Sequence, residues 1–247
     1  MKLTILGYKG GYPSDGVGTS AYLLESDGYH LLIDVGSGAL LALEKHLDPL
    51  DLDAVLLSHY HYDHIADAGV LQQTRKLKRR ENGEERAPIL SIYGHSESNF
   101  FPLLTEERVS QGIAYEEEEQ FSVGPFEITH MKTLHPVPCY AFRIKERKTG
   151  KVLVYTADSG FMEEFIPFSK GADLLLGDTN LFEGMEWHTA HMTAPEIGRI
   201  GREAVVKSII LTHLPETGDL QELKKQAVME APGIHILLAE KDMSVTI

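Results

Sequence analysis

A continuous apolar run, Ala54–Ser58, leads straight into His59-Tyr60-His61-Tyr62-Asp63-His64. An uninterrupted run of that length bounded by polar residues reads as a buried strand. Three histidines and an aspartate therefore gather at the C-terminal end of a strand with covered faces. Neutral imidazole and carboxylate suit zinc, and one turn carrying several of them can serve two metals. The alternative is a solvated loop with scattered histidines. The chain has 12 histidines in 247 residues, so three within one short segment is far from an even scatter.

Three further positions repeat the arrangement. His135 follows Met131-Lys132-Thr133-Leu134 and precedes Pro136. Asp158 follows the strand Val152–Thr156, and His213 ends Ile209-Ile210-Leu211-Thr212. Ligand-type residues at the ends of separate strands converge if those ends lie along one edge of a sheet sandwich.

The organisation allows that. In the first third, Leu3–Leu6 reads as a strand, Ala21–Glu25 and His30–Asp34 as a hairpin turning at Ser26-Asp27-Gly28, and Leu40–His46 as a helix. A helix is expected from Ile65 to about Lys78, a polar loop over Arg79–Arg86, and a strand at Ile89–Tyr93. Further strands are expected at Phe126–His130, Ala141–Lys145, Asp173–Leu176, Ser208–Leu211 and His235–Leu238, with helical segments near Glu196–Glu203 and Leu220–Met229. With no linker or repeat of fixed period, residues 1–247 read as a single domain of layered sheets flanked by helices.

Composition narrows the partners. Lys and Arg number 23 against 37 acids, a formal charge of −14. That balance disfavours non-specific binding to nucleic acid or anionic membranes. The single cysteine, Cys139, excludes an internal disulfide and reads as a small buried hydrophobe. No apolar run approaches the roughly 18–20 residues that span a bilayer. The first residues lack a signal-peptide pattern, so a cytoplasmic protein is expected.

In its histidine motif and the order of the later positions, the chain resembles the metallo-β-lactamase superfamily, whose His-x-His-x-Asp-His signature matches His59, His61, Asp63 and His64. The resemblance covers essentially the whole chain. It implies an α/β (α+β) fold, a four-layer αββα sandwich of two mixed β-sheets flanked by helices, with metals at one edge. His59, His61 and His135 would hold one zinc ion and Asp63, His64 and His213 the other, with Asp158 bridging; manganese is the alternative metal. Zinc can bring the pKa of bound water to around 7, so a hydroxide bridging the pair would be available at neutral pH. A redox di-iron form of this fold usually carries a carboxylate where His61 stands here, so hydrolysis is favoured.

Within the superfamily, Trp187-His188-Thr189-Ala190-His191-Met192-Thr193-Ala194-Pro195-Glu196 is similar to the His-x-Thr-Ala element of ribonuclease Z-type phosphodiesterases. Thr193 and Glu196 form a capping box that starts a helix, whose dipole and free amides would favour an anion. His191 is the candidate general acid, with His188 the nearby competitor, and Asp63 joins His191 as a candidate catalytic residue. Asp34, in Leu32-Ile33-Asp34-Val35-Gly36-Ser37-Gly38, would orient a ligand histidine.

Members that process tRNA precursors usually carry a long arm between the positions of His135 and Asp158. This chain has only a hairpin around Arg143–Lys151. A tRNA partner is therefore disfavoured, and the expected substrate is a small anionic phosphodiester such as a cyclic nucleotide or an RNA-end-like ester. An acyl hydrolase cleaving a lactone, thioester or β-lactam on the same metals is the alternative. A non-catalytic metal-binding protein is the third reading, which the complete ligand set argues against. The basic cluster Arg75–Arg80 reads as a solvated helix end, and Glu116–Glu119 as a solvated acidic segment. Tyr8, Tyr12, Tyr60 and Tyr62 are candidates to line the mouth of the site and stack on a base. By family analogy the chain forms a homodimer through Ile65–Leu77 beside the site.

Overall fold

The computed structural model describes residues 1–79 and 87–247. Most of the loop expected over Arg79–Arg86, and Arg80 of the basic cluster, lie outside the described residues.

Two mixed sheets stack face to face. The first contains β1 (Lys2–Lys9), β2 (Gly18–Thr19), β3 (Ala21–Ser26), β4 (Tyr29–Ile33), β5 (Ala54–Leu56), β6 (Leu90–Gly94) and β7 (Ser110–Ala114). The second contains β8 (Gln120–Val123), β9 (Phe126–Lys132), β10 (Tyr140–Glu146), β11 (Val152–Tyr155), β12 (Leu174–Asp178), β13 (Ser208–Thr212) and β14 (His235–Leu238). The chain then returns to the first sheet as β15 (Ser244–Thr246), so that the order there is β15-β1-β3-β4-β5-β6-β7, with β2 beside β1. The second runs β14-β13-β12-β11-β10-β9-β8. In the first sheet β15, β1, β3 and β4 pair antiparallel and β4 to β7 parallel, with β2 parallel to β1; in the second, β8 to β11 pair antiparallel and β11 to β14 parallel.

Side-chain alternation explains the layers. Along β3, Tyr22 and Leu24 face the second sheet, where they join Phe126, Phe142, Leu153, Tyr155 and Leu176 in the central core. Ala21 and Leu23 face outward with Leu32 and Val55, under Leu40 and Leu43 of helix α1 (Ala39–Leu43). The same outer cluster takes in Ile65, from the short α2 (Tyr62–Ile65), and Leu71, from α3 (Ala68–Leu77). On the far side, Val154, Leu175 and Ile209 pack with Ile197 and Ile200 of α5 (Ala194–Ala204) and Leu223 of α6 (Leu220–Glu230). That cluster also contains Phe165, from α4 (Phe165–Phe168), a short helix the sequence did not suggest. Strands covered on both faces must be apolar throughout, which is why Ala54–Leu56 carries no alternation. The architecture is the αββα sandwich expected.

The strands absent from the sequence reading are β2, β7, β8 and β15. β7 and β15 edge one sheet and β8 edges the other, while β2 pairs with β1 alone. Edge strands are short and polar because one side is unpaired, so their pattern is weak. The helix expected from Ile65 to Lys78 is two elements, α2 and α3. Arg75 corrects the reading of Arg75–Arg80 as a solvated end: it is buried, and its guanidinium donates to the carbonyls of Pro49, Leu52 and Pro88. Among the described residues, no helix is long and apolar enough to cross a membrane.

Candidate metal centre

Parallel order in the second sheet sends the C-terminal ends of β11, β12, β13 and β14 to one edge, and β9 joins them because β10 runs antiparallel to both its neighbours. His135, Asp158, Asp178 and His213 sit at or just beyond those ends. From the facing sheet, the ends of β4 and β5 supply Asp34 and the turn carrying His59 and His61, and α2 carries Asp63 and His64. Backbone at Asp34, Ala157 and His213 has positive φ, of 54°, 51° and 53°. Such strained residues are held by surrounding structure and cluster at functional sites. Close packing also fixes the turn: a Cβ on Gly36 would stand 2.2 Å from the Asp63 carbonyl oxygen.

Two ligand-type groups share Asp158. One is His59, His61, His135 and Asp158; the other is Asp63, His64, Asp158 and His213; within each, the candidate donor atoms lie within 4.8 Å of one another. His59 Nε2 and His135 Nε2 stand 3.1 Å and 3.0 Å from His61 Nδ1. His64 Nε2 is 3.2 Å from Asp158 Oδ1, and His213 Nε2 is 3.1 Å from Asp63 Oδ2 and 3.3 Å from Asp158 Oδ2.

The remote ring nitrogens are committed elsewhere, which fixes the tautomers. Ser58 Oγ donates to Asp34 Oδ2 (2.8 Å) and so accepts from His59 Nδ1 (3.0 Å). His64 Nδ1 donates to Asp34 Oδ2 at 2.8 Å, and His135 Nδ1 to the Ala190 carbonyl at 3.0 Å. Asp34 also accepts from the Ser58 amide and the Tyr155 hydroxyl, each at 2.8 Å. Each of these imidazoles therefore turns its Nε2 inward, and that atom offers a lone pair when the ring is neutral. His64 Nε2 and Asp158 Oδ1 are buried without a hydrogen-bond partner among the described residues. Lone pairs converging on lone pairs repel one another unless a cation sits between them, so the donor set fits the metals the sequence suggested.

Charge divides the cluster. Burial, with neighbouring His64, holds His59 well below the usual histidine value, and burial also lowers His61 and His135. These three rings are neutral, as metal binding requires. At His64 burial opposes charge, but Asp158 and Asp34 outweigh it and hold the ring at about 10. His213 is likewise raised, with Asp158 and Asp178 overcoming burial. Burial works against ionisation of Asp63 and Asp158 too, yet the histidines hold both carboxyls below their usual range. A metal and a proton therefore compete for His64 and His213.

Asp178 is the residue the sequence reading missed. It ends β12, receives His191 Nδ1 at 2.9 Å, and lies 3.4 Å from His213 Nδ1. Its signal was present: Leu174-Leu175-Leu176-Gly177-Asp178 is an apolar run ending in an acid, as at the other positions. His188 stands farther out, its ring centroid 5.7 Å from that of His191. The capping box forms, but the amides expected to favour an anion are spent. Ala194 N donates to the Leu181 carbonyl, Glu196 N to Thr193 Oγ1 and Ile197 N to the Thr193 carbonyl, while Pro195 has none. Tyr60 is buried, its hydroxyl donating to the His95 carbonyl, while Tyr12 and Tyr62 are exposed. Glu116 accepts from the Ser96 amide at 2.7 Å, tying down one end of the acidic segment.

An αββα sandwich with such a cluster at one edge defines a metallo-hydrolase. The chain belongs to the metallo-β-lactamase superfamily: the family model described as Metallo-beta-lactamase superfamily matches residues 14–200. It is 44% identical over 230 residues to "Probable metallo-hydrolase YhfI" of Bacillus subtilis (strain 168), covering 92% of each chain. The crystal structure of that YhfI superposes with a TM-score of 0.91 at 39% identity, covering 99% of both chains. Ribonuclease Z of Metallosphaera sedula is 26% identical over 279 residues, covering 92% of this chain and 93% of the relative. The human short-form tRNase Z structure shares the fold, with a TM-score of 0.76 at 21% identity, covering 100% and 99%.

Proposed function

We propose that this chain is a dinuclear zinc phosphodiesterase acting on a small phosphodiester, a cyclic nucleotide or an RNA-end-like ester. The observation that carries the reading is His191, a histidine anchored by Asp178 beside the cluster, its ring centroid 5.0 Å from that of His213 and 5.6 Å from that of His135. The ribonuclease Z relative supports the choice of a phosphodiester. His59, His61 and His135 would hold one zinc, Asp63, His64 and His213 the other, with Asp158 shared. Bound zinc supplies Lewis acidity, bringing a water's pKa towards 7 and offsetting charge on phosphoryl oxygens.

The protein's own groups do the rest. Burial opposes charge on His191, but Asp178 outweighs it and raises the ring's pKa, keeping a proton available. Its Nδ1 is committed to Asp178, so Nε2 is the atom that would deliver that proton to the departing ester oxygen. Asp63, fixed by the Gly11 amide at 2.9 Å, holds the same carboxylate oxygen 3.1 Å from His213 Nε2. Its role joins ligation to orientation of the attacking water. The homodimer belongs to the same reading: Val70 and Leu77 are exposed on α3, and sedimentation measures the state.

The test is turnover of bis(p-nitrophenyl) phosphate against nitrocefin and a thioester panel, on protein of measured metal content. Metal-dependent diester cleavage that disappears in His61→Ala is the expected result. Acyl cleavage alone, with two zinc ions per chain, would overturn it. Metal analysis of the purified protein decides between zinc and manganese.

A further inference from the structure

We propose that the cleft beside His61 is a base subsite, stacking the nucleobase of a nucleoside ester whose phosphate lies at the metal cluster. The inference rests on the phosphodiesterase reading and names its substrate class. The cleft encloses ≈ 480 Å³, within the roughly 300–1,000 Å³ of small-molecule sites. His61 forms part of its wall, so one side chain both closes the ligand cluster and opens onto the cleft. An ester substituent leaving the cluster past His61 enters it directly. A second cleft, between Leu41 and Lys241, shares no residue with the cluster.

The walls match a planar aromatic ligand. Phe100 stacks on Tyr60 with centroids 6.1 Å apart and planes at 14°, and Tyr60 is fixed by its bond to the His95 carbonyl. Tyr62 stands at 87° to Phe100, 6.1 Å away, and is 73% exposed. Val137 and Pro138 close the opposite side. Two aromatic faces backed by a buried ring, one of them bare to water, gain most from an apolar face laid against them.

The polar groups match a base's edge. Glu97 and Asn99 line the same cleft. The Glu97 carboxylate is held by Lys132 Nζ at 2.6 Å and by the Tyr140 hydroxyl, which aims it while leaving lone pairs free to accept N–H donors. His95, 1% exposed, backs the cleft behind them. A nucleobase has two apolar faces and a donor–acceptor edge; an alkyl substituent would leave these polar groups unused.

The test uses zinc-loaded full-length protein and two product-like probes, adenosine 5′-monophosphate and ribose 5-phosphate, which differ by the base alone. Calorimetry should show the monophosphate binding roughly tenfold or more tightly, the gain one base–aromatic stack brings. Phe100→Leu and Tyr62→Leu should each remove most of that ratio, while Trp187→Leu, on the exposed segment before His191, leaves it in place. No ratio above one, or a ratio moved by Trp187→Leu and untouched by the other two, overturns the subsite. Bis(p-nitrophenyl) phosphate turnover, measured alongside, judges the phosphodiesterase reading separately. A base-dependent ratio without turnover keeps the cleft and removes the reading. Turnover without a base-dependent ratio does the reverse.

Discussion

His191 and Asp178 are joined by a 2.9 Å hydrogen bond from Nδ1 to Oδ2, and the other Asp178 oxygen lies 3.4 Å from His213 Nδ1. One carboxylate at a strand end thus steers both the candidate acid and a candidate ligand. Asp178 is itself buried, and the two histidines overcome the cost of burial to hold its pKa down.

Removing the Asp178 charge should therefore act on the proton more than on the metals. His191 is raised because Asp178 outweighs burial; in Asp178→Asn burial remains and the ring's pKa falls. A general acid with a lower pKa loses its proton at lower pH, so the alkaline limb of the kcat profile should move towards neutrality. His191→Ala should cost roughly 10²–10⁴ in kcat with both metals retained. A full pH–rate profile with metal analysis reads both; an unmoved alkaline limb in Asp178→Asn removes the pairing from the chemistry.

Asp34 should control metal affinity instead. Its carboxylate accepts from Ser58, His64 and Tyr155 and so sets the direction of two imidazoles. Partners of this kind are worth roughly 10–100-fold in metal affinity. Competition with a chromophoric chelator should show Asp34→Asn weaker by about that factor. Affinity equal to that of the unmodified protein would count against the orienting role.

Metal removal should cost stability. Without cations the inward lone pairs of His59, His61 and His135 face one another at 3.0–3.1 Å. A ligand at 100 times its Kd stabilises the folded state by about 2.7 kcal/mol per site. Dialysis against a chelator should lower Tm by several degrees, and zinc should restore it. An unchanged Tm would mean the cluster does not bind metal under those conditions.

A pH effect away from the site should appear at Asp173, which Lys151 Nζ and Lys207 Nζ approach at 2.9 Å and 2.7 Å. Burial alone would raise its pKa, but the two lysines pull it from 3.8 to about 2. Because the folded value lies below the unfolded one, its contribution is present above about pH 4 and is lost as the pH falls towards 2. Both lysines are substantially exposed, so water screens the pairs. Asp173→Asn should lower Tm by about 1–3 °C at pH 7, with the gap narrowing as the pH falls below 4. A gap that widens in acid would contradict the assignment.

Much of this protein was legible in the chain itself. The run Ala54–Leu56 is apolar throughout because helices cover one face and a second sheet the other, and that burial is written locally. His59, His61, Asp63 and His64 are recognisable because one short segment of the chain carries all of them. The edge strands β7, β8 and β15 were not legible, since half-paired strands need little apolar pattern. Nor was the spent N-terminus of α5, where Leu181, distant in sequence from the helix, takes the Ala194 amide.

The sequence by itself determined which residues stand as candidates for metal-binding and proton-transfer chemistry, because residue type and strand-end position are local properties. Only the tertiary structure decided their pairings. Parallel strands put their C-terminal ends side by side whatever their separation along the chain, so Asp178 meets His191 and His213, and Asp34 meets Tyr155 across the two sheets. The cleft of Tyr62, Phe100 and Pro138 arises the same way, from three segments that no local pattern connects.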